Sequence, residues 1–486
     1  MESLPTARAG AIAMNRFGLG TRADETPPGD PQRWLLDQFA RYEPLPAAWR
    51  AEPGAVAITT RFGEERQQGM AQDAAASNAG ASDMPASAGS AQASRQAARQ
   101  AINRTIRRES VEVYRNAVNA RLNSALDTEA PFVERLVHFW SNHFAVSVDK
   151  PALAGLAGSF EMEAIRPHVL GRFEDMLVAV EQHAAMQIFL DQVRSVGPDS
   201  RAALRADQRD PAHKRGLNEN LGREIMELHT LGVRTGYTQD DVTEFARALT
   251  GWSLAGVRGP QPGVAAPGAF VFRPALHEPG TRTVMGRRYD EAGVEQALAI
   301  LHDLAHAPAT SRHIAFQLAR HFVADNPPPA LTGRLAQTFE QSGGDLPTVY
   351  RALVESPQAW SAADAKFKTP WDWTVSSMRA LGWRERGELN AAPLLTQLGQ
   401  PIWRPGSPAG YDDIAASWAA PDALVRRVEV AQRFAARVGD RLDPRTLAPT
   451  VLPGTLSTAT ATAVSHAESA PTAIALLLVS PDFLRR

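Results

Sequence analysis

The side chains best suited to chemistry lie first in residues 131–144, PFVERLVHFWSNHF. If this segment is a helix, its large apolar residues form one stripe that faces a core, and His143 falls at the edge of that stripe. A histidine in such a place must find a hydrogen-bond partner or stay neutral. His143 is therefore either a satisfied core residue or a metal ligand or general base, whereas His138 projects to the opposite, polar side.

Two carboxylates follow in residues 218–232, NENLGREIMELHTLG. A helical projection puts Glu224 and Glu227 on one flank of the buried stripe. It places His229 roughly 160° from Glu227, so one metal ion cannot bind Glu227 and His229 together. Helical bundles hold divalent metals with paired carboxylates that face a histidine on a neighbouring helix, which predicts that the two glutamates meet His143. The alternative is a structural network in which arginines pair with both carboxylates.

Further groups surround these two helices. Arg247 lies on the helix that Thr238 and Asp241 begin with a capping pattern, and its position allows it to face a cleft. His277 precedes Glu278 on a loop between two predicted strands, where binding groups are often placed. The predicted site gives catalytic roles to Glu224, Glu227 and Arg247, metal binding to His143, Glu224, Glu227 and His277, and substrate contacts to Trp252, Tyr411 and His138.

A second histidine pair lies outside that site. His302 and His306, in HDLAH, have the spacing of two metal ligands on one face of a helix. The motif lacks the glutamate that follows the first histidine in zincin proteases, so a solvated surface pair is the simpler interpretation.

Composition and missing motifs exclude several chemistries. The chain of 486 residues contains no cysteine, which excludes disulfides, zinc–thiolate sites and thiol nucleophiles. A formal charge of -2 gives no electrostatic signature of binding to nucleic acid or to an anionic membrane. The GxSxG, phosphate-loop, dinucleotide-binding and HExxH motifs are all absent from the sequence. The common nucleophile, nucleotide and zincin classes are therefore not indicated.

The patterns along the chain predict a mostly α protein, a multi-helical, bundle-like array with one small β-hairpin around residues 268–289. We divide it into an N-terminal helical segment, a disordered low-complexity insertion, a central helical core that carries the hairpin, and a C-terminal helical region packed on that core. Their bounds are residues 1–66, 67–94, 95–360 and 361–486. The insertion is rich in Ala, Ser, Gly and Gln, and it lacks the large apolar residues that would offset its ordering entropy.

Several long segments carry a family resemblance. They are MNRFGLG, ERLVHFWSNHFAVS, NENLGREIMELHTLGVRTGYTQDDVTEFARALTGW, LAHAPATSRHIAFQLARHFVADNPPP, KFKTPWDW, PAGYDD and LLLVSPDFLRR. Together they resemble the bacterial family called domain of unknown function 1800, over nearly the whole chain apart from the insertion. The resemblance implies a mostly helical bacterial protein. It also implies, as a partner, the product of a neighbouring gene of the family of unknown function 1501, which is similar to the alkaline phosphatase and sulfatase superfamily. No catalytic residues carry over from it.

Three hypotheses about function follow. The first is a metal-dependent enzyme, or a metal-binding protein, with a His/Glu site between helices 131–145 and 218–250 and a divalent metal of unknown identity as cofactor. The second is a non-catalytic accessory or scaffold subunit for a secreted hydrolase-like partner, with tryptophans on loops, such as Trp252, Trp371 and Trp403, marking a binding surface. The third is carbohydrate binding through the same tryptophans.

Our expectation about the location of the protein rests on two signals that are not found in the sequence. No stretch of the sequence is long and apolar enough to span a membrane. The N-terminus has no basic start followed by an apolar run of signal-peptide length. We therefore expect a cytoplasmic protein, or a periplasmic one if it is exported together with a partner.

Overall fold

Helices account for most of the part of the chain that the structure describes. The structure is a computed structural model, and it describes residues 6–79, 88–209, 216–256, 265–361 and 365–486. The mostly helical fold class predicted from the sequence is confirmed, and the few strands in these ranges form two small antiparallel sheets.

The helices follow one another along the chain with short connections. The α-helices are Thr6–Ile12, Pro31–Leu36, Gln38–Arg41, Ala55–Ala79, Ala88–Asp127, Pro131–His143, Ala157–Phe160, Phe173–Gln182, Ala184–Phe189, Arg201–Arg209, Asn220–Glu224, Gln239–Leu249, Val294–His306, Pro308–Phe322, Pro329–Ser342, Leu346–Val354, Pro370–Ala380, Ala391–Gln397, Ala415–Trp418, Pro421–Val438, Pro444–Val451, Thr458–Ser465 and Ala470–Leu478. The π-helical turns are Ala13–Phe17, Glu161–Ile165 and Ile225–His229. The 3-10 helices are Ala47–Trp49, Pro151–Leu153, Arg166–His168, Gln192–Arg194, Pro274–Leu276, Pro357–Trp360 and Gly439–Arg441. Within the described ranges, none of these helices is long and apolar enough to cross a membrane.

Side-chain caps explain where several helices begin. Asp30 accepts a hydrogen bond from the backbone N–H of Arg33, 3.1 Å away, just before Pro31 at the first helical position. Thr238 and Asp241 bond each other's backbone N–H groups, which confirms the capping box predicted there. These caps fix the first turn of each helix and therefore which residues face the interior.

The strands pair differently from the single hairpin that we predicted. Strand β1, Trp252–Leu254, pairs with β2, Phe270–Phe272, and strand β3, Arg282–Val284, pairs with β4, Arg287–Tyr289. Met285 and Gly286 join β3 to β4 and have φ values of 49° and 79°, the pair of positive values that a type I′ turn requires. The prediction of strands in this region therefore holds, but their pairing was wrong because residues 281–289 already contain a complete hairpin of their own.

The segment predicted as a disordered insertion, residues 67–94, is helical where the structure describes it. Helix Ala55–Ala79 runs into the segment and helix Ala88–Asp127 begins in it, whereas residues 80–87 lie outside the described residues. The expectation of disorder is therefore not confirmed for the described part. Alanine has the highest intrinsic helix propensity, which favours a helix even where few large apolar residues are buried.

One cluster of buried apolar side chains joins the N-terminal, central and C-terminal parts of the chain. In it the ring of Phe17 lies 5.7 Å from the rings of both Phe132 and Phe322, measured between centroids. These three residues come from segments that are far apart in the sequence. The division into four segments stays a prediction, and the site described next lies along helix Pro131–His143 in the middle of this cluster.

Candidate active site

Helix Pro131–His143 is the central element of the site. His138, which we predicted on a polar face, is instead buried, because other elements surround the helix and Glu134 on the same face pairs with Arg166 inside the protein. His138 Nδ1 accepts a hydrogen bond from Trp371 Nε1 at 3.1 Å, and its Nε2 lies 3.6 Å from Glu134 Oε1. Burial lowers the pKa of His138 to about 4, so its ring is neutral at neutral pH.

A cavity of about 260 Å³ lies beside this helix. Its walls come from helix Pro131–His143, helix Pro308–Phe322, the start of helix Pro370–Ala380 and the loop of residues 400–413. The polar and aromatic side chains that line it are Arg121, Arg135, His138, Phe139, Ser141, Asn142, His143, His313, Gln317, Arg320, His321, Thr369, Trp371, Asp372, Gln400, Trp403, Tyr411, Asp412 and Asp413. A cavity with converging polar and titratable groups is where a ligand or substrate is most readily sought.

His321 and Asp413 form a close pair in the wall of this cavity. His321 Nδ1 lies 2.5 Å from Asp413 Oδ2, although the two residues are 92 positions apart in the chain. The carboxylate fixes the orientation of the ring, and the other nitrogen, Nε2, is buried and makes no hydrogen bond within the described part of the chain. With its proton on Nδ1, the ring presents a lone pair at Nε2, which is what a general base needs.

Surrounding charges set the protonation of this pair. Lys366 Nζ lies 3.3 Å, and Arg486 Nη2 3.9 Å, from Asp413 Oδ1. Burial would raise the pKa of Asp413, but His321 and the two cations outweigh burial and hold that pKa well below its usual range. Burial lowers the pKa of His321, and repulsion from Arg486 and Arg135 lowers it further. The attraction of Asp413 raises this pKa but does not fully offset those effects. At neutral pH the pair is therefore an ionised carboxylate and a neutral imidazole.

Asp372 is a buried carboxylate in the cavity wall, whereas Asp413 is partly exposed. Its two oxygens face two arginines, since Arg135 Nη1 lies 2.8 Å from Oδ1 and Arg486 Nε lies 3.1 Å from Oδ2. Arg486 is held in place by its backbone, which exchanges hydrogen bonds of 2.8 and 2.9 Å with Lys366. Its Nη2 also donates to the carbonyl oxygen of His321 at 3.0 Å. Asp372 and Arg486 therefore connect the Asp413–His321 pair to helix Pro131–His143 through Arg135.

The loop of residues 400–413 closes one side of the cavity. Asn142 fastens it, because its Nδ2 donates to the carbonyl oxygen of Tyr411 at 2.9 Å and its Oδ1 accepts from the backbone N–H of Tyr411 at 2.8 Å. Gly410 has a φ of 80°, and a methyl group there would lie 2.3 Å from the backbone oxygen of Asn142, so glycine is required for this approach. Tyr411, which we predicted to contact a substrate, lines the cavity, and its hydroxyl donates to the carbonyl oxygen of Pro401 at 2.6 Å.

Two histidines of the cavity wall lie near a third. The ring centroid of His143 is 5.9 Å from that of His313 and 6.5 Å from that of His229, and His143 Nε2 lies 3.2 Å from the carbonyl oxygen of His229. Burial, helped by the two neighbouring histidines, lowers the pKa of His143 well below its usual value, and burial lowers the pKa of His313 to about 4. His229 Nδ1 lies 2.7 Å from Glu181 Oε1, and both groups are buried. His143 is therefore a neutral ring in the cavity wall.

The predicted helix 218–232 is divided in the structure. Its α-helical part, Asn220–Glu224, passes into the π-helical turn Ile225–His229, in which hydrogen bonds from i to i+5 change the phase of the side chains. The helical projection used for the sequence therefore does not apply beyond Glu224. From this turn Leu228 lines the cavity.

Glu224 and Glu227 are both partly buried, and neither lines the cavity. Glu227 Oε1 lies 3.6 Å from Arg223 Nη1, which is the kind of arginine pairing that we considered as the alternative to a metal site. Burial raises the pKa of Glu224, Glu227 raises it further, and the nearby His229 lowers it. The roles of the two glutamates as ligands or acid–base groups stay predictions.

Other predicted site residues gather around the loop at His277. His277 Nδ1 donates to the carbonyl oxygen of Thr250 at 2.8 Å, and burial lowers the pKa of His277. The adjacent Glu278 is buried, accepts a hydrogen bond from the backbone N–H of Asp199 at 2.8 Å, and lies 3.6 Å from Arg247 Nη1. The structure thus brings Arg247 to Glu278, the chain neighbour of His277, but neither Arg247 nor His277 lines the cavity.

The tryptophans that we predicted on loops as a binding surface, Trp252, Trp371, Trp373 and Trp403, are buried. Trp371 and Trp403 are 4% and 6% exposed and line the cavity. Trp252, a predicted substrate contact, is 1% exposed and packs against Phe270 across the β1–β2 sheet, with ring centroids 5.1 Å apart. The prediction of an aromatic binding surface on loops was wrong for these residues because they lie on a helix, on a strand and in a packed loop rather than on open loops.

A possible metal-binding cluster lies elsewhere on the protein. Among the described residues, one group of three His, Asp or Glu side chains has ligand atoms that all lie within 4.8 Å of one another, and it consists of Glu174, His302 and His306. The four predicted metal ligands, His143, Glu224, Glu227 and His277, do not form such a group.

The residues predicted from the sequence did not include three ionisable residues of the cavity wall. His321, Asp372 and Asp413 stand in RHF, PWDW and YDD, segments that carried the family resemblance but had no assigned chemistry. No spacing rule connects a histidine to an aspartate 92 residues later. The available signal was weak, namely ionisable residues inside otherwise apolar segments, which indicates burial with a partner but does not identify the partner.

Comparison with known proteins places the chain in a family. One family model matches residues 12–485, nearly the whole chain, and its description is a protein of unknown function. Comparisons with curated proteins and with solved structures found no match. The family match confirms the resemblance carried by the sequence motifs. This chain therefore belongs to the DUF1800 family of proteins of unknown function.

Proposed function

We propose that this protein is an enzyme in which His321, oriented by Asp413, acts as a general base on a small polar substrate bound in the cavity. The observation that carries the proposal is the buried Nε2 of His321, which makes no hydrogen bond in the described part of the chain while Asp413 holds Nδ1. A buried polar atom without a partner is costly, so in a cavity wall it supports a role in binding or catalysis. A neutral imidazole held by a carboxylate is a common arrangement for accepting a proton.

The cavity lining supports a small anionic substrate. A volume of about 260 Å³ is below the range of about 300–1,000 Å³ that is typical of sites for drug-sized ligands. Arg121 and Arg135 are already paired with carboxylates. Arg320 donates to the carbonyl oxygen of Asp325 at 3.3 Å and, within the described residues, forms no ion pair with a carboxylate. Its guanidinium is therefore available to a carboxylate or phosphate group of the substrate.

The other functional hypotheses have less support. Of the four predicted metal ligands, His143 alone lines the cavity, and Glu227 is already paired with Arg223. A purely structural or accessory role has less support, because it gives no use to a cavity lined by His321 and Asp413. Carbohydrate binding through tryptophans would have to use Trp371 and Trp403 in the cavity wall, because the predicted rings do not form an open surface.

Turnover by the wild-type protein should depend on His321. We expect His321→Gln to reduce turnover at least about a hundredfold, because general-base catalysis contributes about 10²–10⁴-fold. The measurement is a mass-spectrometric comparison of a bacterial metabolite extract before and after incubation with each protein, followed by kinetics on the depleted compound. The matched control is His466→Gln, which replaces an exposed histidine and should behave like the wild type.

A second variant separates binding from chemistry. If Arg320 binds the anionic part of the substrate, Arg320→Gln should raise KM and leave kcat near the wild-type value. Thermal melts followed by circular dichroism check that each variant is folded. Equal turnover by the wild type and His321→Gln would contradict the proposal. An inactive wild type that co-purifies with the product of a neighbouring family 1501 gene would favour the accessory role instead.

A further inference from the structure

Glu174, His302 and His306 form a cluster on the protein surface, and none of them lines the cavity. His302 Nδ1 lies 2.9 Å from Glu174 Oε1, and His306 Nδ1 lies 3.9 Å from Glu174 Oε2. The ring centroids of the two histidines are 4.4 Å apart. The side chains of His302, His306 and Glu174 are 57%, 32% and 28% exposed, so an ion can reach them directly from solvent.

Two helices that pack against each other hold this cluster. His302 and His306 lie one turn apart at the C-terminal end of helix Val294–His306, and Glu174 lies in the first turn of helix Phe173–Gln182. His306 Nδ1 lies 2.8 Å from the carbonyl oxygen of His302, so it donates its proton to its own helix and leaves a lone pair on Nε2. Metal-binding histidines usually have their second nitrogen held by such a bond.

The helix termini around the cluster act on a cation in both directions. The N-terminus of helix Phe173–Gln182, which carries Glu174, opposes a cation, whereas two helix C-termini favour it. His306 ends its own helix, and Gly343 directly follows helix Pro329–Ser342, so the partial negative charges of two helix C-termini meet here. A methyl group on Gly343 would lie 3.8 Å from His306 Nε2, which places the second terminus beside the ring. Arg172 opposes the cation, since its Nη2 would lie 2.8 Å from the same methyl position.

We propose that Glu174, His302 and His306 bind a divalent transition-metal ion, and we take Zn²⁺ as the probe. Two imidazoles and one carboxylate are a ligand set found in zinc sites, with a water molecule in the fourth position. The ion replaces the hydrogen bond between His302 and Glu174 and connects helix Val294–His306 to helix Phe173–Gln182. This site is independent of the cavity and of the proposed reaction.

Titration of the metal-free, full-length protein with Zn²⁺, followed by calorimetry and by thermal melts, tests this site. We expect saturable binding of one ion per chain and a higher melting temperature with Zn²⁺. His306→Gln and Glu174→Gln should each weaken the affinity at least about tenfold and remove the thermal shift. The control His466→Gln should bind as the wild type does. Arg172→Gln should bind more tightly, because it removes a nearby positive charge.

Two results would overturn the proposal. One is the absence of saturable Zn²⁺ binding to the wild type at millimolar concentrations. The other is an unchanged affinity in both His306→Gln and Glu174→Gln, which would place the ion elsewhere on the protein. The replaced side chains lie at the surface, so the variants should fold, and their circular dichroism spectra check this.

Discussion

Asp372→Asn is expected to lower the free energy of unfolding by about 3–5 kcal/mol. The asparagine keeps the shape of the side chain but removes the charge that Arg135 and Arg486 face at 2.8 and 3.1 Å. Arg135 would then be buried without a carboxylate partner, and Arg486 would keep only the more distant Asp413, whose Oδ1 lies 3.9 Å from its Nη2. Burial would raise the pKa of Asp372, but the two arginines hold it well below its usual range, which is consistent with strong pairing. Urea denaturation of the wild type and the variant measures the difference.

An exposed ion pair provides the control for this variant. Asp422 and Arg426 lie one helical turn apart on the surface, with their side chains 66% and 40% exposed. Asp422→Asn should change the free energy of unfolding by less than about 1 kcal/mol, because solvent screens such pairs. If Asp372→Asn changes the free energy of unfolding as little as Asp422→Asn does, the network described for the cavity wall is contradicted.

Lowering the pH from 7 to 5 is expected to decrease the free energy of unfolding by about 4 kcal/mol from His138 and His313 alone. Burial lowers the pKa of each of these histidines from 6.5 to about 4. Between those two values the unfolded chain binds protons that the folded chain does not. The contribution to stability is therefore complete above the unfolded pKa of 6.5 and is lost as the pH falls towards about 4. Between pH 7 and pH 5 each histidine accounts for a loss of about 2 kcal/mol.

Urea denaturation at several pH values measures this dependence. In His313→Gln the loss of stability with falling pH should be smaller by the contribution of one histidine. In His466→Gln the loss should equal that of the wild type. His143, whose pKa burial also lowers, makes the total loss larger rather than smaller. A stability that does not change between pH 7 and pH 5 would show that these rings are not held neutral inside the fold.

Local features of the fold could be predicted because neighbouring residues determine them. The caps at Asp30 and Thr238, and the mostly helical fold class, follow from such local patterns. His143 could be placed on a helix with an apolar stripe for the same reason, and it lines the cavity. The projection failed for His138 because it assumes that one face of the helix meets solvent, whereas residues Pro131 to Ser141 are all buried.

The rest of the site depends on long-range contacts and on one local irregularity. The π-helical turn Ile225–His229 changes the direction of the side chains after Glu224, and the α-helical period gives no sign of it. The pairing of His321 with Asp413, and of Asp372 with Arg486, joins segments that only the packed core brings together. The sequence could therefore show which residues are ionisable, but not which of them are buried or which of them meet.

Nitrogen-15 NMR of protein labelled at its histidines tests the central claim most directly, namely that His321 is a neutral base held by Asp413. The signals that disappear in His321→Gln belong to that ring. At neutral pH we predict that they show a proton on Nδ1 and none on Nε2, and that Asp413→Asn removes this preference. A proton on Nε2 of His321, in the other tautomer or in a charged imidazolium, would contradict the account.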